Sequence, residues 1–140
     1  VFLDSEDLND LGKLCQSVVK SHNLILLLTK GTLTRPWCIV EIATAVCANV
    51  HVVPVKISKP TDEEFQIPDD QFYKNMANGV ILGDSGTETL LEEGFDMDFV
   101  CQAIRSIFKR IALPYSPHKP VAIRRTELRA ILKQCVTRDM

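Results

Sequence analysis

The sequence lacks the features that mark several large classes of protein. Its longest apolar run, residues 24–28, is far too short to span a bilayer, which takes roughly 20 apolar residues. No secretory signal is visible. The five cysteines include no CxxC pair, which argues against a zinc ribbon or a disulfide framework. We therefore expect no membrane insertion, reduced and mostly buried thiols, and a cytoplasmic location.

The motifs of common ligand-binding and catalytic sites are missing as well. Gly31 stands alone in its loop, so there is no glycine-rich phosphate-binding motif. The acidic stretch DSEDLND (residues 4–10) does not have the spacing of a calcium loop, and the three histidines are scattered. The sequence therefore predicts no metal site, no cofactor, and no Ser/His or Cys/His hydrolase.

Charge is distributed unevenly along the 140 residues. Residues 1–113 contain ten Lys and Arg against sixteen Asp and Glu, whereas residues 114–140 contain six against two. The formal net charge of −2 indicates no nucleic-acid partner. We expect one acidic domain over residues 1–113, then a linker marked by Pro114, Pro117 and Pro120, and a basic amphipathic helix that ends the chain.

Apolar segments of strand length alternate with segments of helical periodicity. The predicted strands are residues 1–3, 24–29, 51–57 and 80–82. The predicted helices are residues 11–18, about 36–48, 69–77, about 99–112 and about 121–136. This alternation predicts an α/β fold in which a parallel sheet is flanked by helices on both faces.

Several local details can also be predicted. The run at residues 24–29 is typical of a strand covered on both faces, and Thr34 is a suitable N-cap ahead of Pro36. Pro54 favours a strand end or a bulge. We expect residues 83–96 to form a mobile loop and Ile111 to lie on the apolar face of its helix.

Trp37 and Glu41 are the candidate functional pair. They are four residues apart, so they share one face of the predicted helix. A carboxylate beside an anomeric carbon stabilises an oxocarbenium-like transition state, and one carboxylate suffices when the leaving group is cationic, as in NAD+. The structural alternative, a solvated Glu41 near a helix N-terminus beside a core Trp37, is favoured about three to one by spacing alone.

The order of these segments resembles a TIR (Toll/interleukin-1 receptor/resistance protein) domain over residues 1–113. VFLDSEDL resembles the second strand of that family and the loop that follows it. LILLLTKGTLTRPWCIVEIATAV resembles its third strand, loop and helix, and RPWCIVE is the most specific part of the likeness. VVPVKI resembles its fourth strand. The likeness is strongest to the NAD-cleaving TIR domains.

The resemblance implies a flavodoxin-like fold that lacks the family's first strand and first helix. It implies that Glu41 is the catalytic carboxylate, that Trp37 shapes the substrate pocket, and that Asp4 and Lys13 bind substrate. NAD+ would be the substrate and no cofactor would be required. Activity would depend on homo-oligomeric assembly with other TIR domains, in innate immune or stress signalling.

Two alternatives remain open. A non-enzymatic TIR module would recruit other TIR domains as a scaffold or adaptor, and such modules also keep an aromatic–Cys pair followed by Glu. Another flavodoxin-like nucleotide-binding domain, such as a nucleoside transferase, is the third possibility. The absence of a glycine-rich loop counts against this third class.

Overall fold

The computed structural model describes residues 18–58, 60 and 65–136 of the chain. The strands are β1 (Asn23–Leu28), β2 (His51–Ile57) and β3 (Leu113–Tyr115). The α-helices are α1 (Pro36–Cys47), α2 (Asp70–Ala77), α3 (Gly83–Glu92), α4 (Met97–Ile107) and α5 (Val121–Gln134). Residues 18–20 are also helical and lead into β1. The predicted first strand and most of the predicted first helix lie outside the described residues.

The three strands form one parallel sheet in the order β1-β2-β3. Asn23 pairs with His51 and Leu28 with Lys56, and β3 joins the other side of β2 from Val55 onward. The α/β class and the parallel sheet are therefore confirmed. Parallel strands require crossover connections, and α1 provides the crossover from β1 to β2.

The apolar core is divided between the two faces of the sheet. Leu24, Leu26 and Leu28 of β1 join the larger cluster, which α1, α2, α3 and α4 cover. Val53 and Val55 of β2 face the other way and join Ile131 of α5 in a second cluster. Successive side chains of a strand point to opposite faces, so helices cover both sides of the sheet.

The prediction that β1 is covered on both faces is wrong for the described part of the chain. Its burial alternates along the strand, and Ile25 and Leu27 are 36% and 53% exposed. These two side chains share a face with Val53 and Val55, their partners in β2. Helix α5 covers that face over β2 and β3 but leaves it open at β1.

Residues 80–96 differ most from the prediction. Residues 80–82 form a turn, not a strand, and α3 occupies most of the predicted mobile loop. Glycine, serine and threonine make Gly83–Glu92 a weak helix former. It is helical because Leu90 packs fully buried in the main core and Gly86 allows close contact with α1.

The segment predicted to be a linker is in part a strand. Leu113–Tyr115 extends the sheet although it contains Pro114. Proline is tolerated here because this strand lies at one edge of the sheet. The following helix, α5, matches its predicted span and packs on β2 and β3. The division of the chain at residue 113 stays a prediction.

Three smaller predictions need correction. Arg35, not Thr34, occupies the N-cap position of α1 and makes no side-chain capping hydrogen bond, while the Thr34 hydroxyl donates to the carbonyl of Gly31. Pro54 lies within the continuous pairing of β2 with β1, so it marks neither a strand end nor a bulge. It pairs only with β1, because β3 begins to pair with β2 at the next residue, Val55. Ile111 lies beyond the end of α4 and is 87% exposed.

The expectation of mostly buried thiols is also wrong. Among the four cysteines in the described residues, three are half-buried and Cys47 is exposed. Cys47 is the last residue of α1, where the helix leaves the core. All four are free thiols, as expected. None of the helices among the described residues is both long and apolar enough to cross a membrane.

Candidate functional site

The loop between β1 and α1 is held by two threonines. The Thr32 hydroxyl accepts a hydrogen bond from the backbone N–H of Thr29 at 2.9 Å and donates to the carbonyl of Leu27 at 3.2 Å. The two hydroxyls lie 3.0 Å apart, and Thr32 is buried. A short 3₁₀ turn, Thr32–Thr34, follows. This network connects the carboxyl end of β1 rigidly to the start of α1.

Helix α1 carries the predicted pair at the carboxyl edge of the sheet. Pro36 occupies its first position, where the missing N–H leaves no hydrogen bond unmade. Trp37 follows, half-buried against the main core, and Glu41 lies one turn further along. The indole and the carboxylate therefore lie on one face, as the spacing predicts.

Glu41 is the only charged residue among the twelve of α1. Thr44, which is buried, and Cys38, which is half-buried, share its face of the helix. The other neighbouring residues are apolar and fully buried: Ile39, Val40, Ile42, Ala43 and Ala45. The Glu41 side chain is itself half-buried, and its Oε1 is shielded from solvent. A carboxylate in such surroundings costs free energy of desolvation that a neutral side chain would not. This cost makes the position a candidate for function.

Helix α3 fixes the start of α1 from the other side. A Cβ placed on Gly86 would lie 2.8 Å from Pro36 Cγ and 2.9 Å from Leu82 Cβ. The backbone of α3 at Gly86 is therefore in direct contact with the ring of Pro36. Pro36 immediately precedes Trp37. The position of the indole thus depends on a residue that the sequence indicated only as part of a loop.

The remaining predicted pocket residues, Asp4 and Lys13, lie outside the described residues. The structure therefore places Trp37 and Glu41 on one face of α1, and the substrate-binding roles of Asp4 and Lys13 stay predictions. Within the described ranges, no group of three or more His, Cys, Asp or Glu side chains is placed to hold a metal ion. The chemistry of the described site is that of one carboxylate beside one indole.

A second cluster of polar side chains lies at the amino edge of the sheet, and no pattern in the sequence indicated it. His51 opens β2, and its Nε2 is 2.6 Å from the carbonyl oxygen of Gln134 in α5. Arg110 Nη1 lies 2.8 Å from His51 Nδ1. Asn23, the first residue of β1, donates to the carbonyl of Val136 and accepts from its N–H. The end of α5 is thus anchored to two adjacent strands.

Two titratable groups between α2 and α4 are perturbed. Burial raises the pKa of Tyr73, and the nearby Arg105 guanidinium, 3.8 Å from the ring centroid, partly opposes this shift. Burial likewise raises the pKa of the Cys101 thiol, again opposed by Arg105. The thiol donates to the Tyr73 carbonyl at 3.6 Å. Both groups are neutral at pH 7 and serve the packing of these helices.

Comparison with known proteins adds no further assignment. Neither a model of a protein family, nor a curated protein, nor a solved structure matches this chain.

Proposed function

We propose that this protein is an NAD+ nucleosidase of the TIR type, with Glu41 as its catalytic carboxylate and Trp37 as one wall of its substrate pocket. The observation that carries the proposal is the position of Glu41, a charged side chain with one shielded oxygen in a helix that has no other charged residue. Helix α1 begins at the carboxyl edge of a parallel sheet, where open α/β folds bind their ligands.

The reaction requires little chemistry of the protein. The bond between the ribose and the nicotinamide breaks, nicotinamide leaves as a neutral molecule with the bonding electrons, and water adds to the ribose, giving ADP-ribose and a proton. Positive charge develops on the ribose ring in the transition state, and an ionised Glu41 stabilises it. A single carboxylate is enough because the pyridinium leaving group needs no proton.

The indole of Trp37 has a different role in the proposal. One turn away from Glu41, its face offers an apolar surface on which an aromatic or sugar ring of the dinucleotide packs. From the resemblance to TIR domains, we further propose that Asp4 and Lys13 bind substrate in the same pocket and that activity requires assembly of several copies in the cytoplasm. The role of Trp37, the roles of Asp4 and Lys13, and the need for assembly all belong to the proposal.

The decisive experiment measures nicotinamide release from NAD+ by the full chain, held at high local density on a multivalent support. Glu41→Gln keeps the shape of the side chain and removes its charge. We expect release to fall about a hundredfold or more, the effect of losing one preorganised electrostatic group. Glu88→Gln makes the same change on an exposed face of α3 and is the matched control, expected to leave release unchanged.

Two outcomes oppose the proposal in different ways. Equal release from wild type and Glu41→Gln would show that Glu41 is not catalytic. No release from a folded and assembled wild type would favour the alternative, a scaffold that signals only by binding other TIR domains. Analytical ultracentrifugation of the same samples reports assembly independently of catalysis.

A further inference from the structure

The amino edge of the sheet contains a cavity of about 540 Å³, which lies at the starts of β1 and β2 and is therefore at the opposite end of the strands from Trp37. Its walls come from the ends of α1, α4 and α5 as well as from β2. The volume lies within the range of small-molecule sites, roughly 300 to 1,000 Å³. This cavity was not foreseen in the sequence because its residues come from four separate segments of the chain.

The polar lining of the cavity has one sign of charge. Arg110 provides a permanent positive charge, and His22 and Asn49 add groups that can donate hydrogen bonds. None of the described side chains that line the cavity is acidic. An uncompensated cation in a concave site attracts anions more strongly than one on a flat surface, because low-dielectric walls focus its field.

The guanidinium of Arg110 is held in place. Arg110 Nη1 lies 2.8 Å from His51 Nδ1 and 3.0 Å from His51 Nε2, and that Nε2 lies 2.6 Å from the carbonyl oxygen of Gln134, so the guanidinium is connected through His51 to the end of α5. The other N–H groups of Arg110 have no partner among the described residues and can bind a ligand. A guanidinium fixed by a second side chain loses less entropy when an anion binds.

The remaining lining of the cavity is apolar. Val46, Val50, Val52 and Ile107 form walls beside the polar groups. A bare inorganic ion would leave most of this volume unfilled. The combination of one fixed cation with apolar walls fits a small organic anion that has a charged head and an apolar body.

We propose that the amino-edge cavity binds a small organic anion, with its phosphate or carboxylate head on Arg110 and its apolar body against the valines. The proposal does not depend on NAD+ cleavage, since it concerns the opposite end of the strands. The bound molecule also contacts the end of α5, because Val136 lines the cavity and Asn23 and His51 hold that end to the sheet. Binding therefore stabilises the docked position of α5.

The test is an NMR titration of the full chain with three probes that share a phenyl ring. Phenyl phosphate and phenylacetate carry the two kinds of anionic head, and benzyl alcohol is neutral. We expect saturable shifts of the Ser106, Ile107 and Arg110 amides with at least one anion in the millimolar range, and a higher melting temperature in its presence. The neutral probe should bind at least about tenfold more weakly, because it makes no charge-assisted hydrogen bond.

Variants at the cavity and one control variant test whether the anion binds at Arg110. Arg110→Gln should weaken anion binding about tenfold or more, whereas Lys109→Gln, which removes the same charge one residue earlier, should change it by less than about twofold. Asn49→Asp puts a negative charge at the cavity without touching the His51 contact, and aspartate also tolerates the left-handed backbone of this position, φ 61°. It should weaken binding even if Arg110→Gln fails to fold.

The comparison of the probes decides between the possible heads. Tighter binding of phenyl phosphate identifies a phosphorylated ligand, and tighter binding of phenylacetate identifies a carboxylate. The proposal is overturned if neither anion gives saturable shifts, if benzyl alcohol binds as tightly as the anions, or if Asn49→Asp and Arg110→Gln both bind like the wild type.

Discussion

Replacing Gly86 with alanine tests the contact that positions the start of α1. The added Cβ would lie 2.8 Å from Pro36 Cγ and 2.9 Å from Leu82 Cβ, well inside the roughly 3.5–4.0 Å at which two carbon atoms attract. Neither neighbour is the far end of a flexible side chain. The proline ring is fixed to the helix backbone, so α1 or α3 must move.

The expected magnitude is a balance of two terms. Overpacking by one methyl group costs about 1–3 kcal/mol. Alanine in a helix interior returns about 0.8–1 kcal/mol relative to glycine. The net change is a loss of about 1 kcal/mol in the free energy of unfolding, which for a chain of this size lowers the melting temperature by about 2–4 °C.

The assay uses the only tryptophan of the chain, Trp37, which follows Pro36 directly. Urea unfolding is followed by Trp37 fluorescence and by far-UV circular dichroism, and a native-state change in the emission of the variant reports a displaced indole. Glu88→Ala on the exposed face of the same helix is the control and should be nearly neutral, because Glu and Ala have similar helix propensities.

A double-mutant cycle identifies the cause. In a Pro36→Ala background the ring is gone, so Gly86→Ala should cost less than in the wild type, by about 1 kcal/mol. If Gly86→Ala instead stabilises the protein equally in both backgrounds, the close approach of α3 and α1 is refuted. The position of the indole would then have to be attributed to the threonine network of the preceding loop.

The remaining predictions concern α5 and the helices beneath the sheet. Ile131→Ala removes the one buried apolar side chain of α5 and should lower the free energy of unfolding by about 2–3 kcal/mol in urea denaturation; a loss below about 0.5 kcal/mol would contradict the docking of α5. Glu127→Ala leaves the N–H and hydroxyl of buried Ser116 without the carboxylate they contact at 2.8 and 3.1 Å, and should cost about 1–3 kcal/mol in the same assay, with Glu127→Gln costing less. Burial raises the pKa of Cys101 and Tyr73 in the folded protein, so the unfolded chain loses these protons at lower pH. Stability that is present below the ordinary thiol pKa of about 8.5 should therefore decline as the pH rises toward about 11. Denaturation curves that do not change over this range would contradict the prediction.

The elements that the sequence predicted well are those with an unambiguous apolar period. The strand His51–Ile57 and the helix Asp70–Ala77 match their predicted spans, and Asp69 caps the latter by accepting a hydrogen bond from the N–H of Phe72. Helix α1 begins with Pro36, as expected. In each case the local preference and the final packing favour the same structure.

The failures share a different cause, which is tertiary packing that overrides weak local signals. The glycines, serine and threonines of Gly83–Glu92 weaken its preference for a helix, and its helical state depends on contacts with α1 and α4. The strand Leu113–Tyr115 consists of three residues around a proline, and only its pairing with Val55 and its neighbours makes it a strand. Such pairing joins residues about 58 apart in sequence, so no local pattern can reveal it.

The two candidate sites differ in the same way. Trp37 and Glu41 could be paired in advance because one helical turn connects them, and the period of a helix is known from sequence. Arg110 and His51 are 59 residues apart, and only the order of strands and the docking of α4 and α5 bring them together. A site within one element is therefore accessible to sequence reasoning, and a site between elements is not.

The reason for a carboxylate in an apolar helix can be decided by comparing two measurements on one variant. If Glu41 served the packing of α1, then Glu41→Gln would lower the stability of the protein together with any activity. If Glu41 serves catalysis, the same variant loses nicotinamide release while its free energy of unfolding changes little, because glutamine keeps the shape of the side chain and has a similar helix propensity. Functional residues are those whose replacement separates activity from stability in this way. The surroundings of Glu41, which are mostly apolar in the part of the helix that lies within the core, make that separation a sharp test.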